Sequence, residues 1–261
     1  MNFEELGSRL KTLEQNNETN LSYGIPIYAR LDGKGFSKFT KGMKRPFDLE
    51  FREMMIAVCE ELTKRIQANI AYTQSDEISL YWVNNTISNN DMNFSGRKSK
   101  WIGELAGLAT AAFMKECHKR FPEKVDMLPR FDARLFQATE EQVVDCFLWR
   151  QMDCIKNAIS MVSEVHIPKK ELHGMSTKKR LARLTELGHD FNSFDEHFRL
   201  GVFVSKQLKE LPVDKTDIPP EHRKNVPDIA LRNVIVRYTT NIARNIELKD
   251  GPRNFSVLRN I

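Results

Sequence analysis

The chain has 261 residues, 41% of them apolar, with 40 Lys and Arg against 35 Asp and Glu. That suffices for one large domain, or a core domain with an extension, and no apolar run approaches the length of a membrane span. Four cysteines without a C-x-x-C pair and six scattered histidines exclude zinc-ligand spacing and suit reduced core thiols in a cytoplasmic protein.

Met1–Asn20 is polar and acidic, carries Phe3, Leu6, Leu10 and Leu13 at helical spacing, and does not read as a signal peptide. Residues 26–32 alternate β-branched and small residues up to Gly33, a strand signature. Phe51, Met54, Met55, Val58, Leu62 and Ile66 then recur at helical spacing and predict a helix from about Asp48 to Ala68. Ile70–Gln74 and Ile78–Val83 flank Ser75-Asp-Glu77 as a hairpin. Asn84–Gly96 is a polar loop, and a helix rich in small residues runs from near Ser99 to Arg120. Arg130–Phe136 reads as a fourth strand, and Thr139-Glu-Glu-Gln142 as a capping box opening a helix that carries Trp149 to Asn157. On that helix Trp149, Met152 and Cys154 are expected to form one packed face. Residues 206–228, with Pro212, Pro219, Pro220 and Pro227, read as a linker or wrapped arm, and Val234–Tyr238 as a late strand.

The series β-α-β-β-α-β is the split, ferredoxin-like motif. The expected class is therefore α+β, ferredoxin-like, with a helical C-terminal extension. The expected divisions are a catalytic domain over 1–138, a helical region completing it over 139–205, and an extension over 206–261. In this motif the first and third strands are antiparallel neighbours, so Asp32 at the end of one meets Asp76 at the start of the other. Two carboxylates at adjacent strand tips repel unless cations neutralise them. Hard oxygen ligands favour Mg²⁺, and two such ions are the usual device for in-line nucleotidyl transfer. The Gly33 carbonyl is a further candidate ligand, because a residue without Cβ lets the chain turn in closely.

Asp32-Gly-Lys-Gly-Phe-Ser37 offers successive backbone N–H groups as a nest for a triphosphate, although it is not a P-loop. Lys44, Arg97 and Lys100 are candidate cations for neutralising phosphate charge. Charge is balanced over residues 1–160, while residues 161–261 hold 18 Lys and Arg against 13 Asp and Glu. The densest cluster, Lys169-Lys170 and Lys178-Lys-Arg180 with Arg183, is either a solvated helix face or a track for a nucleic-acid backbone.

Arg30-Leu-Asp-Gly-Lys-Gly-Phe-Ser-Lys-Phe39, Gln74-Ser-Asp-Glu77, Arg97-Lys-Ser-Lys100, Phe131-Asp-Ala-Arg134 and Leu148-Trp-Arg-Gln-Met-Asp-Cys154 occur in that order. Over roughly residues 22–205 this set resembles the tRNA-His guanylyltransferase superfamily, the 3′–5′ reverse polymerases. The resemblance implies that residues 1–138 form a polymerase-like palm domain, and it implies addition of nucleotides, chiefly G, to the 5′ end of tRNA, with GTP and ATP as substrates. It implies two Mg²⁺ held by Asp32, Gly33 and Asp76, with Asp32 and Asp76 catalytic. The nucleotide would lie on Asp32, Gly33, Lys34, Gly35, Phe36, Ser37, Lys44, Ser75 and Asp76. Arg97, Lys100 and Asn157 would contact phosphate or RNA, Glu77 would be a supporting acid, and the assembly would be a homo-tetramer.

One departure bears on specificity. The tRNA-His enzymes follow D-C with H-I-N-N, whereas this chain has Asp153-Cys-Ile-Lys-Asn-Ala158. Ile155 in place of histidine points to the guanylyltransferase-like branch and template-dependent 5′-end repair. The alternatives are a tRNA-His-specific guanylyltransferase, a palm-type nucleotide cyclase or dinucleotide synthase, and a catalytically silent RNA-binding protein.

Overall fold

A computed structural model of the chain describes residues 3–83, 93–216 and 218–242. Helix α1 (Phe3–Asn16) precedes β1 (Ile27–Lys34), the short α2 (Phe36–Phe39), α3 (Leu49–Arg65), β2 (Ile70–Gln74), β3 (Glu77–Trp82), α4 (Lys98–Arg120) and β4 (Arg130–Gln137). Then come α5 (Glu140–His166), α6 (Lys169–Leu172), α7 (Thr177–Glu186), α8 (Glu196–Leu200), β5 (Val202–Pro212) and β6 (Ile229–Tyr238). The first four strands lie in the order β4-β1-β3-β2, and β5 and β6 extend the sheet beyond β2. All pairings are antiparallel. The βαββαβ core is therefore the ferredoxin-like palm that the sequence predicts.

Alternation along β1 divides the molecule into layers. Ile27, Ala29 and Leu31 face α3 and α4, packing with Met54, Val58, Trp101 and Phe113. Tyr28, with Tyr72, Tyr81 and Phe203 of neighbouring strands, faces Val143, Val144 and Phe147 of α5. Helices cover both faces of the centre, so every residue of β2 and β3 is buried. Local chemistry fixes the helix starts. Asp48 caps α3 by accepting from the Phe51 N–H, and Thr139 and Gln142 form the expected reciprocal capping box of α5.

The C-terminal part differs from the sequence reading. Residues 206–212 are not linker but the outer half of β5, and β6 begins at Ile229, well before Val234. Only the segment between the strands, which holds Pro219, Pro220 and Pro227, keeps the character of an arm. The α5–α8 region is helical as expected, but the extension after it is strand as far as Tyr238. Of the polar loop Asn84–Gly96, residues 84–92 lie outside the described residues, and Asn93–Gly96 is a tight turn with Phe94 and Ser95 in left-handed conformations. Among the described residues no helix is long and apolar enough to cross a membrane.

Candidate active site

The site forms where β1 ends and β3 begins. Asp32 pairs in register with Glu77, so the Ser75-Asp76 turn lies beside the end of β1. Gly33 is the hinge of this arrangement. A Cβ there would sit 2.7 Å from Asp76 Oδ2, 2.8 Å from Asp76 Cβ and 2.5 Å from the Phe36 ring. Only a glycine lets the Asp76 carboxyl settle against the β1 backbone. Ser75 holds the turn at φ 49°, a left-handed conformation that a non-glycine residue adopts at a cost, and its hydroxyl bonds Asp76 Oδ1 at 3.2 Å.

Burial raises the Asp76 carboxyl above its ordinary range, and the nearby Asp32 charge raises it further, against a lowering by Arg30. A carboxylate destabilised in this way is matched by a divalent cation, which reverses both effects. Among the described residues no three His, Cys, Asp or Glu side chains converge as a metal cluster. A cation at Asp32 and Asp76 would therefore complete its shell from the Gly33 carbonyl, phosphate oxygens and water, which suits Mg²⁺.

After Lys34 the chain turns through Gly35 at φ 91° into α2. The first-turn N–H groups of Phe36 and Ser37 precede any carbonyl of that helix, and they are the donors that a phosphate nest at this turn would use. Phe36 itself is core: its ring packs on Phe39, Phe51, Phe113 and Phe131. It can offer a nucleotide its backbone but not its side chain. Lys44 is exposed just before α3.

A cavity of about 100 Å³ opens beside Ser75, walled by Phe47, Phe51, Met55, Phe198 and the α5 residues Cys154, Asn157 and Ala158. Phe47 stacks on Phe198 at 4.3 Å, and Arg52 lies over the Phe198 ring at 4.9 Å while paired with Asp195 at 2.8 Å. His197 also lines it, and its buried Nδ1 makes no hydrogen bond among the described residues. Flat apolar walls with a few polar edges are the chemistry of a nucleobase seat.

Arg97 and Lys100 are not brought to the acids. They open α4, whose Trp101 packs on Trp82 at the far end of β3, five residues of strand or roughly 17 Å from the Asp76 turn. Lys178 and Lys179 are exposed on α7. Arg180 lines a second cleft with Arg45, Lys169 and His173, faced by Glu164, and this cleft joins the basic helices to the loop that carries Lys44.

The sequence reading missed the surroundings of Glu77. That carboxylate is buried, with Arg30 Nε at 2.9 Å from Oε2 and Arg150 Nε at 2.5 Å from Oε1. Burial pushes Glu77 up, while the Arg150 and Arg30 guanidiniums pull it back. Arg30 also lies 3.5 Å from Asp32 Oδ1, and Arg150 bonds Asp153 at 2.8 Å. Both guanidiniums stack on Trp149, at 5.6 and 4.4 Å. Trp149 and Met152 are thus exposed rather than packed with the buried Cys154. The buried face of α5 carries Arg150 and Gln151, and Gln151 holds the carbonyls of Leu200 and Thr240. The signals available were the Arg30-x-Asp32 spacing on one strand face and the i, i+3 pair Arg150 and Asp153.

Adjacent acids at the strand tips of a βαββαβ sheet, beside a backbone nest, define a palm-type nucleotidyl-transfer domain. The sequence matches the family model described as tRNAHis guanylyltransferase over residues 7–139. The chain is similar to the tRNA(His) guanylyltransferase of Schizosaccharomyces pombe, 36% identical over 135 residues, and the match spans about half of each protein (49%). Its fold is similar to that of a bacterial tRNA(His) guanylyltransferase (Thg1)-like protein in complex with ATP, at TM-score 0.72 and 31% identity, covering 77% of this chain and 87% of that one. A bacterial Thg1-like protein in complex with GTP aligns at TM-score 0.73 and 26% identity over 92% and 95% of the two chains. The chain belongs to the tRNAHis guanylyltransferase family of nucleotidyltransferases.

Proposed function

We propose that the chain is a Mg²⁺-dependent nucleotidyltransferase that adds nucleotides, chiefly G, to the 5′ end of tRNA in the 3′–5′ direction. In this reading it repairs truncated 5′ ends against a template. The observation that carries it is the seating of Asp76 on Gly33 beside Asp32. Family membership supports the substrate class, and the relatives in complex with ATP and GTP support the nucleotides.

The reaction has two steps. The 5′ phosphate of the RNA attacks the α-phosphorus of ATP or GTP and releases pyrophosphate. The 3′-hydroxyl of an incoming nucleotide then attacks the activated 5′ phosphate and releases the nucleoside monophosphate. Mg²⁺ held by Asp32, Asp76 and the Gly33 carbonyl would neutralise phosphate charge and orient the attack in line. The N–H groups around Gly35 to Ser37 receive triphosphate oxygens, and Lys44 neutralises their outer charge. The apolar pocket beside Ser75 takes a base against the stacked Phe47–Phe198 pair and Asn157. Arg97 and Lys100, at the other end of β3, serve RNA backbone away from the transfer centre, with or without the tetrameric assembly that the resemblance implies. A cytoplasmic site of action belongs to the same proposal.

Ile155, half-buried on α5, can pack against a base but cannot read its edge, and a lost polar contact gives up about 1–3 kcal/mol of discrimination. We therefore expect a higher kcat/KM on 5′-truncated tRNAs of several identities than on full-length tRNA-His. With Mg²⁺ and labelled GTP the product should be RNA lengthened at its 5′ end. A cyclic or dinucleotide product would instead mark a cyclase, and a preference for full-length tRNA-His that follows its anticodon would restore the specific enzyme.

RNA binding is assigned to α7 and the cleft behind it. Replacing Lys178, Lys179 and Arg180 by Ala should weaken tRNA binding and flatten its salt dependence by roughly one unit of slope per lost phosphate contact. GTP binding should hardly change. An unaltered slope reduces the cluster to a solvated helix face.

A further inference from the structure

We propose that Arg150 is a positioning residue for Asp32, acting across the sheet through Glu77 and Arg30. The inference rests on the reading of Asp32 and Asp76 as metal-binding acids. Five charged side chains form one file: Asp32, Arg30, Glu77, Arg150 and Asp153, joined at 3.5, 2.9, 2.5 and 2.8 Å. Asp153 continues it to Asn157 at 3.2 Å, on the wall of the apolar pocket. The file thus runs from the metal acid to the far wall of the proposed nucleobase seat.

Its centre is buried, with Glu77 and Arg150 side chains only 5% and 6% exposed. A buried ion pair contributes little net stability compared with apolar residues of the same size, so stability alone is a weak reason for this one. Its geometry supplies another. Glu77 uses one oxygen for each arginine, which fixes the plane of its carboxylate. Arg30 thereby spends its short contacts on Glu77 and reaches Asp32 only at 3.5 Å. Asp32 is braced without being neutralised, and its charge stays available to a cation. Trp149 locks both guanidinium planes from outside. Two cations among three anions leave one net negative charge, and Asp32 is the member with only a long contact. Groups that orient a metal ligand from behind commonly change metal affinity 10- to 100-fold.

The test uses Mn²⁺ as a paramagnetic probe of the site, read by electron paramagnetic resonance with GTP present, on the full chain. Arg150→Lys keeps the charge but loses the planar fork that spans Glu77 and Asp153. It should weaken Mn²⁺ binding roughly tenfold or more and leave tRNA affinity unchanged. Val143→Ala, a buried change near the start of the same helix and outside the pocket, should lower the melting temperature without moving Mn²⁺ affinity. Mn²⁺ affinity within twofold of the parent in Arg150→Lys, or an equal loss in Val143→Ala, overturns the proposal. Should Arg150→Lys fail to fold, Asp153→Asn at the more exposed end decides: a smaller weakening supports the file, and no change rejects it. A parent protein that binds no Mn²⁺ at all refutes the metal reading itself, an outcome distinct from the failure of Arg150.

Discussion

Asp76→Asn and Asp32→Asn should each lower incorporation of labelled GTP into 5′-truncated tRNA by roughly a thousandfold or more. Metal-borne charge stabilisation supplies several kcal/mol, and every 1.36 kcal/mol is a factor of ten in rate. The fold should persist. Asp76 is held above its ordinary range by burial and by Asp32, so replacing either acid removes a repulsion rather than a support. Melting temperatures equal to or above that of the parent are the expected companion result. Near-parental incorporation by either variant, measured at saturating Mg²⁺, would falsify the two-carboxylate assignment.

Gly33→Ala should damage both activity and stability. Its new Cβ would lie under 3 Å from the Asp76 side chain and the Phe36 ring. Phe36 is wedged among four other aromatic rings, so the carboxylate is the group that must move. Overpacking of this kind costs about 1–3 kcal/mol, and a displacement of 1 Å at a reacting centre costs about a hundredfold in rate. Gly35→Ala is the contrast. No atom lies within 4 Å of its Cβ, but φ is +91°, so the cost is local backbone strain of about 1–2 kcal/mol, with a smaller effect on the acids. If thermal melts and turnover rank these two variants the other way, the close approach at Gly33 is not what holds Asp76 in place.

The juxtaposition of Asp32 and Asp76 was legible because strand periodicity, helical spacing and the hairpin signal together specify a topology, and the topology alone pairs residues 44 positions apart. What was not legible depended on facts that periodicity does not encode. Arg150 and Gln151 are polar, and a reading that sorts helix faces by apolarity sends them outward. They face inward because Glu77 and the backbone near Leu200 and Thr240 need partners there. Trp149 was placed in the core by the same rule, whereas it lies outside as a plate over two guanidiniums. Arg97 and Lys100 were grouped with the acids by motif order. Yet β3 runs away from the Asp76 turn, so a helix that follows it starts at the opposite end of the sheet. The outer halves of β5 and β6 escaped because they leave the helix layers, and residues exposed on both faces, such as Leu208, Lys209 and Arg232, carry no two-sided pattern.

The pairing of β2 with β5 bears on how the chain is made. Tyr72 donates to the carbonyl of Leu200, 128 residues later, and the open edge of β2 finds its partner only when Val202–Ser205 is present. At ribosomal speeds of about 5–20 residues per second, that interval lasts roughly 6 to 25 s. Throughout it, a strand that is wholly buried in the finished fold shows bare backbone donors and acceptors to any other nascent chain, the condition under which edge-to-edge association begins. The first-made half of the sheet thus waits longest for cover, and its safe passage depends on a strand that is synthesised only after α5–α8.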